Sequence, residues 1–199
     1  MAAAGALALT GGTALAAAAP ASAAPVPDNS SYGASASGLL NIGPVAFAQN
    51  SFGQHVVQAS HFNLLSSLVI GGSVLDTATN SGASSTVAQT NVRSILAGLG
   101  LTARLVHTSC SSSTTVAATG DTTIFGGLIG LGGFGEQVDP SPSPNETVHL
   151  PGGITVVLNH QTTTIGGQLT VDGLFVELPG GEDVTVATSS CEGTVLPPP

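Results

Sequence analysis

Histidine is the residue type in this chain best suited to bind a metal ion, and there are five of them: His55, His61, His107, His149 and His160. None forms the H-x-H or H-E-x-x-H spacing typical of a metal site. His107 and His160 fall in predicted strands, and imidazoles on neighbouring strands can together hold Zn²⁺ or Cu²⁺. With His149 they are the candidate metal ligands. The other interpretation, histidines scattered over the surface or half buried, is favoured because no spacing indicates a site.

Acidic residues could serve glycoside hydrolysis, which needs two carboxyl groups at a fixed separation across the scissile bond. The candidates are Asp121, Asp172 and Glu177. Sugar sites usually also contain aromatic side chains, and this chain has no Trp and one Tyr. That composition favours solvated carboxylates over a hydrolase, and it also counts against a carbohydrate-binding module without excluding one.

Two further motifs do not develop into sites. Gly130 to Gly135 matches the dinucleotide pattern G-x-G-x-x-G, which works only when a helix N-terminus follows it. Here Glu136, Asp139 and Pro140 follow, so a Gly-rich loop is expected instead. A Ser-His-Asp triad has no supporting G-x-S-x-G segment. We therefore predict no enzyme activity, no catalytic residues and no cofactor.

The charge balance excludes some partners. Eleven acidic residues face two arginines, Arg93 and Arg104, and there is no lysine, which gives a net charge of −9. Nucleic acids and anionic membrane surfaces require basic patches, so neither is an expected partner. Without lysine, the chain cannot form lysine isopeptide crosslinks within itself.

The N-terminus has the features of an export signal. Residues 7–19 are apolar and rich in alanine, and Ala21-Ser22-Ala23 fits the small-residue cleavage rule. We predict that residues 1–23 are removed by cleavage between Ala23 and Ala24, although residues 1–6 have no basic residue. A plain alanine-rich leader or a membrane anchor is the alternative. No later stretch reaches about 18 uninterrupted apolar residues, so no membrane span is expected after signal removal.

The two cysteines are expected to pair, because exported proteins keep disulfides. A bond between Cys110 and Cys191 would pin two β-rich segments, Leu99 to Cys110 and Gln168 to Cys191, at the same end. It would contribute about 2–4 kcal/mol to stability. Two free thiols are the alternative.

The domain organisation follows from strand and turn signals. We expect a flexible lead-in over 24–31, a β domain over 32–193 and a disordered tail over 194–199. Within the domain, residues 126–145 are predicted to be a Gly-rich loop that continues into a mobile Pro/Ser-rich segment, residues 136–147. Gly120-Asp121 is predicted to be a turn. Residues 44–75 show neither a strand nor a helix period; we expect one or two strands, a long connection and at most a short helix there.

One strand changes phase. Leu169 and Val171 alternate on one face, whereas Leu174 and the apolar residues after it would face the other side. A β-bulge at Asp172-Gly173 would restore a single apolar face, and a tight hairpin is the alternative. Many short strands with Gly, Pro and Asn turns predict an all-β fold, an antiparallel β-sandwich with one disulfide.

Several segments resemble the actinobacterial choice-of-anchor P family of secreted proteins. They are Y-G-A-S-A-S-G-L-L from Tyr32, L-V-H-T-S-C ending at Cys110, Q-L-T-V-D-G-L-F-V-E-L from Gln168, and D-V-T-V-A-T-S-S-C ending at Cys191. The resemblance implies a secreted or cell-wall-associated, non-catalytic β module with a structural, adhesive or partner-binding role. Its partner would be extracellular or part of the cell envelope, and wall attachment and release both remain open. The alternative function is a secreted carbohydrate- or metal-binding domain, or a hydrolase whose site is assembled from dispersed His and acidic residues.

Overall fold

A computed structural model describes residues 28–38, 41–50, 55–65, 68–94, 98–112, 116–131 and 134–193. These residues form strands and connecting turns and no helix. In chain order the strands are β1 (Ser30–Ser37), β2 (Ile42–Val45), β3 (Ala48–Gln49), β4 (His55–Leu65), β5 (Leu68–Thr79), β6 (Gly82–Ser94), β7 (Leu99–Ser111), β8 (Thr119–Phe125), β9 (Leu128–Leu131), β10 (Phe134–Gln137), β11 (Glu146–Leu150), β12 (Ile154–Thr163), β13 (Leu169–Leu178) and β14 (Glu182–Cys191).

The strands form two antiparallel sheets that pack face to face. Sheet 1 has the order β11-β12-β13-β14-β1-β2, with β3 also paired to β1. Sheet 2 has the order β10-β9-β7-β6-β5-β4, with β8 also paired to β7. Strand β1 packs on β5 and β6, while β13 and β14 pack on β6, β7 and β8. The predicted all-β sandwich is confirmed.

The core lies between the sheets because each strand turns alternate residues inward. β-Branched valine and isoleucine dominate these inward positions, as expected for half-buried strands. The largest fully buried side chains are Leu101, Ile124, Ile154, Leu158, Leu174, Val87, Val92, Val106, Val156 and Val171. Near the cysteines the core consists of smaller residues, including Ala48, Ala78 and Ala83. The sheets can approach closely there.

The predicted phase change in β13 is present. Leu169 and Val171 are buried before it, and Leu174 is buried after it, so all three face the core. Gly173 lies where the alternation breaks, and a Cβ there would come within 2.5 Å of Val106 Cγ1. Strand β13 is continuous, so the hairpin alternative is wrong.

The irregularity extends across sheet 1 and does not belong to one strand. The β13–β14 register is the same on both sides of Gly173, with Asp172 opposite Thr188 and Leu174 opposite Val186. Neither strand gains a residue over the other, because Ala187, which lies opposite Gly173, has a left-handed backbone with φ of 56°. The phase change is therefore shared by both strands, and the β-bulge predicted at Asp172-Gly173, which needs two residues of one strand opposite one of the other, is not formed.

Sheet 2 contains a similar row. In β7 Leu101 and Ala103 face the core, and so does Val106, three residues after Ala103. Arg104 is therefore directed to the surface at the break in alternation. Gln89 of β6 lies opposite it in the register and has a φ of 56°. The break thus places Arg104 and Gln89 side by side.

Several sequence predictions need correction. Strand β1 starts at Ser30, and Asn29 and Ser31 are fully buried, so the domain begins earlier than residue 32. Gly120 and Asp121 form no turn: they pair with Cys110 and Ser109 inside β8, because β7 offers them a ladder.

The Gly-rich region and the Pro/Ser-rich segment are also more ordered than predicted. Strands β9 and β10 form a hairpin in place of the expected loop. After β10, the Ile124 amide donates to the Pro140 carbonyl at 2.9 Å, and the Asn159 side chain donates to the Pro142 carbonyl at 3.0 Å. Because Val138 is buried as well, residues 136–147 are anchored to both sheets and do not form a solvated linker.

Residues 44–75 include β3, β4 and part of β5. Strands β4 and β5 pair antiparallel with two residues between them, so no long connection separates them. Their register shifts between Ala59 and Phe62, which explains why the sequence shows no clean alternation. In the described residues no helix is long and apolar enough to cross a membrane. The predicted signal with its cleavage point at Ala23 and Ala24, and the predicted tail 194–199, lie outside the described residues.

Candidate functional site

The disulfide joins the two sheets. Cys110 ends the inward row of β7 and Cys191 ends β14, and their sulfurs are bonded with the Cα atoms 5.9 Å apart. Both cysteines are buried beside Leu169 and Val171. The pairing predicted from sequence is confirmed, and the free-thiol alternative is wrong.

The candidate histidines occupy separate environments. His107 lies on β7 of sheet 2, where its Nδ1 is 2.8 Å from the Thr86 hydroxyl. Burial lowers its pKa, and the Asp121 carboxylate partly offsets that effect. His160 lies on sheet 1, and His149 is exposed on β11. Among the residues that the structure describes, no three His, Cys, Asp or Glu side chains are grouped so that they could hold a metal. The side chains of His55 and His61 lie outside that description.

The candidate carboxylates do not form a pair across a cleft. Asp172 is buried; it accepts from the Thr188 hydroxyl at 2.7 Å and lies 3.0 Å from His160 Nδ1. Glu177 is exposed five residues further along β13, a separation of roughly 16 Å at the usual rise of a strand. Glycosidase pairs are separated by about 5–9.5 Å. Asp121 is exposed on β8, in the other sheet.

A buried acid that the sequence analysis did not single out is Asp76 of β5. Its side chain is fully buried, and neither carboxyl oxygen has a hydrogen-bond partner among the described residues. Burial raises its pKa to about 7, and the Ser85 hydroxyl opposes this effect only in part. That hydroxyl lies near Asp76 but donates its hydrogen bond to the Tyr32 carbonyl, at 3.0 Å. The alternation of Val74, Asp76 and Ala78 is a sequence signal that could have identified an inward carboxyl.

A cleft of about 550 Å³ opens at the irregular row of sheet 2. Its volume is within the usual range for small-molecule sites, roughly 300–1,000 Å³. Strands β6, β7, β9 and β10 and the turn after β8 contribute its walls, through residues that include Gln89, Thr102, Arg104, Gly126, Leu128 and Gln137. Sequence reasoning missed this site because its residues come from five segments and match no motif.

Arg104 is the charged group of the cleft, and no acid neutralises it. All eleven carboxylate side chains of the chain lie within the described residues, and the one ion-pair contact that they make with another described side chain is between Asp172 and His160. Arg104 also makes no hydrogen bond to the described part of the chain. An arginine that has no carboxylate partner in so acidic a protein retains its full capacity to bind an anion.

The local backbone positions this arginine. Gly126 has a φ of +60°, and a Cβ there would lie 3.1 Å from both Cγ and Cδ of Arg104. Because the glycine lies against the aliphatic part of the side chain, it limits where the guanidinium can point.

No acidic side chain of the described residues lines the Arg104 cleft, although Glu136 and Asp139 lie near its β10 wall. Gln137 of β10 lines it, whereas its neighbour Glu136 lines a different cleft with Leu150 and Pro151. The Arg104 cleft therefore presents one cation, two primary amides and the Thr102 hydroxyl beside the half-exposed Leu128; its second hydroxyl, that of Thr90, is buried and donates to the Val87 carbonyl.

Comparison of the chain with protein-family models, with curated proteins and with solved structures finds no match.

Proposed function

We propose that this chain is a secreted or cell-surface, non-catalytic β-sandwich module that binds an extracellular or cell-envelope partner at the Arg104 cleft. The observation that carries the proposal is the unpaired arginine in a concave site of small-molecule size. A charge with no internal partner in an acidic chain contributes little to folding, because surface charges add little to stability even when they are paired. The unpaired charge can contribute instead to the binding of a ligand.

Three further observations support the location and the role. A disulfide between the sheets is compatible with an oxidising, extracellular compartment. The predicted export signal and the resemblance to choice-of-anchor P proteins point to the same compartment. A sandwich that is held together covalently suits a structural or adhesive role, because its sheets cannot separate when a ligand pulls on one of them.

Among the alternative functions, carbohydrate binding is the one that a specific observation favours. The amides of Gln89 and Gln137 and the hydroxyl of Thr102 can both donate and accept hydrogen bonds. Sugar hydroxyls need partners of this kind.

The experiment is an array of glycans and cell-envelope polymers, probed with mature protein and with the Arg104→Gln variant. The proposal predicts at least one ligand that the variant no longer retains. The control is Ile165→Glu: Ile165 is 99% exposed in the β12–β13 turn, and the substitution makes the net charge one unit more negative, as Arg104→Gln does. If every ligand bound by the protein is also retained by Arg104→Gln, the cleft is not the binding site.

A further inference from the structure

We propose that the ligand of the Arg104 cleft is a carboxylate-bearing sugar, the hexuronic acid unit of an acidic polysaccharide. This inference rests on the proposed function and gives its ligand a chemical class. It is drawn from the unpaired guanidinium, from the hydrogen-bonding groups around it and from the apolar surface beside them.

The cation selects the charge of the ligand. The guanidinium of Arg104 presents a planar set of N–H donors that matches the two oxygens of a carboxylate. The cleft offers one such group within a chain of net charge −9, and Glu136 and Asp139 follow in sequence close to its wall. A planar carboxylate matches the guanidinium fork and places one negative charge against Arg104, whereas a phosphate monoester places two at the same point, where the acidic chain repels the second.

The uncharged polar residues of the cleft favour a sugar as the part of the ligand that carries the carboxylate. Gln89 is exposed on one side of Arg104, and Gln137 is exposed on the β10 side. Together with Thr102, they offer donors and acceptors to ligand hydroxyls. The lining residue Leu128, 48% exposed, supplies apolar surface for the C–H face of a sugar ring.

The arrangement is fixed by the fold before a ligand arrives. The break in alternation turns Arg104 outward next to Gln89, and Gly126 lies against the arginine side chain. Both features sit on paired strands or on the short turn after β8, so little conformational freedom is lost when a ligand binds.

The test is calorimetric titration of the mature protein with trigalacturonic acid and with its methyl ester, which retains the sugars and removes the charges. We expect saturable binding of the acid, and binding of the ester weaker by at least about tenfold. Arg104→Gln should lose at least about tenfold in affinity for the acid. Arg104→Lys should lose part of it, because lysine keeps the charge without the planar fork. Ile165→Glu should bind as the parent protein does.

Each contrary outcome has a defined meaning. Equal affinity for acid and ester, or tighter binding of a sulfated trisaccharide than of the uronic acid, overturns the inference about the carboxylate. No binding of the acid, together with another array ligand that depends on Arg104, overturns the inference while the proposed function stands. If no array ligand depends on Arg104, the proposed function itself fails. Circular dichroism of each variant checks that the fold is intact.

Discussion

The buried carboxyl of Asp76 makes a prediction about stability that can be worked out from its surroundings. This side chain is inaccessible to solvent, its oxygens lack hydrogen bonds among the described residues, and burial raises its pKa from 3.8 to about 7. In the unfolded chain the same group ionises near its ordinary pKa. Between about pH 4 and pH 7 the folded state therefore holds a proton that the unfolded state has released.

The sign and size of the effect of Asp76 on the free energy of unfolding follow from the linkage between proton binding and folding. A raised carboxyl pKa means that this group favours the folded state most at low pH, and that the advantage is lost as the pH rises through about 7. The full change corresponds to roughly 4 kcal/mol. In the Asp76→Asn variant the site is neutral at every pH, so its free energy of unfolding should gain that amount relative to the parent protein between pH 4 and pH 8.

The assay is urea denaturation followed by far-ultraviolet circular dichroism, since the chain has no Trp and one Tyr. Other carboxyls titrate in both proteins, so the quantity to follow is the difference between the two unfolding free energies against pH. A fixed cost of placing an amide in the site shifts this difference without changing its slope. Glu177→Gln, which replaces an exposed carboxylate on β13, is the control, and the Asp76→Asn difference should vary with pH more than the Glu177→Gln difference does. If the Asp76→Asn difference varies by less than about 0.5 kcal/mol between pH 4 and pH 8, the pKa of Asp76 is not raised in the folded protein.

Three further predictions concern the frame that holds the cleft. Replacing Cys110 and Cys191 together by alanine should lower the free energy of unfolding by about 2–4 kcal/mol. The measurement is denaturation of the variant and of the parent protein, each under oxidising and reducing conditions. An equal effect of the reductant on both proteins would contradict the prediction. Gly173→Ala should lower the free energy of unfolding by about 1–3 kcal/mol, because the new Cβ would lie 2.5 Å from Val106. The control is Gly152→Ala, at a turn with no atom within 4 Å, which should show only the cost of its positive φ. Equal shifts in melting temperature for the two variants would contradict the packing argument. Asp172→Ala should cost about 1–3 kcal/mol because the buried Thr188 hydroxyl loses its acceptor, and the additional Thr188→Val substitution should recover part of that loss in the same denaturation assay.

The sequence predicted the features that local patterns encode. Alternation of β-branched residues indicated the strands, and the cysteines at the ends of two β-rich segments indicated the disulfide that joins the sheets. The phase change at Gly173 could also be predicted from the sequence, because the apolar residues before and after it must all face the core. Its extension to Ala187 was not, since the register of a neighbouring strand is a long-range property.

The candidate site shows why function was harder to predict. Arg104 is one of two arginines, but a sequence does not show whether an arginine has an acidic partner, and that depends on where all eleven carboxylates lie. The cleft is formed by segments between residues 89 and 137. These segments lie close together because β9 pairs with β7, although β8 separates the two strands in the sequence. The histidines drew attention through their residue type, although the fold places His107 and His160 on different sheets.

The most direct test of the account is the side-chain Nε–H signal of Arg104 in a ¹H–¹⁵N spectrum. With two arginines in the chain, this signal can be assigned by its loss in Arg104→Gln. Adding trigalacturonic acid should move the Arg104 signal along a saturable curve, and the methyl ester should leave it nearly unchanged. An Arg104 signal that stays in place while the protein binds the acid would contradict the assignment of this cleft as the binding site.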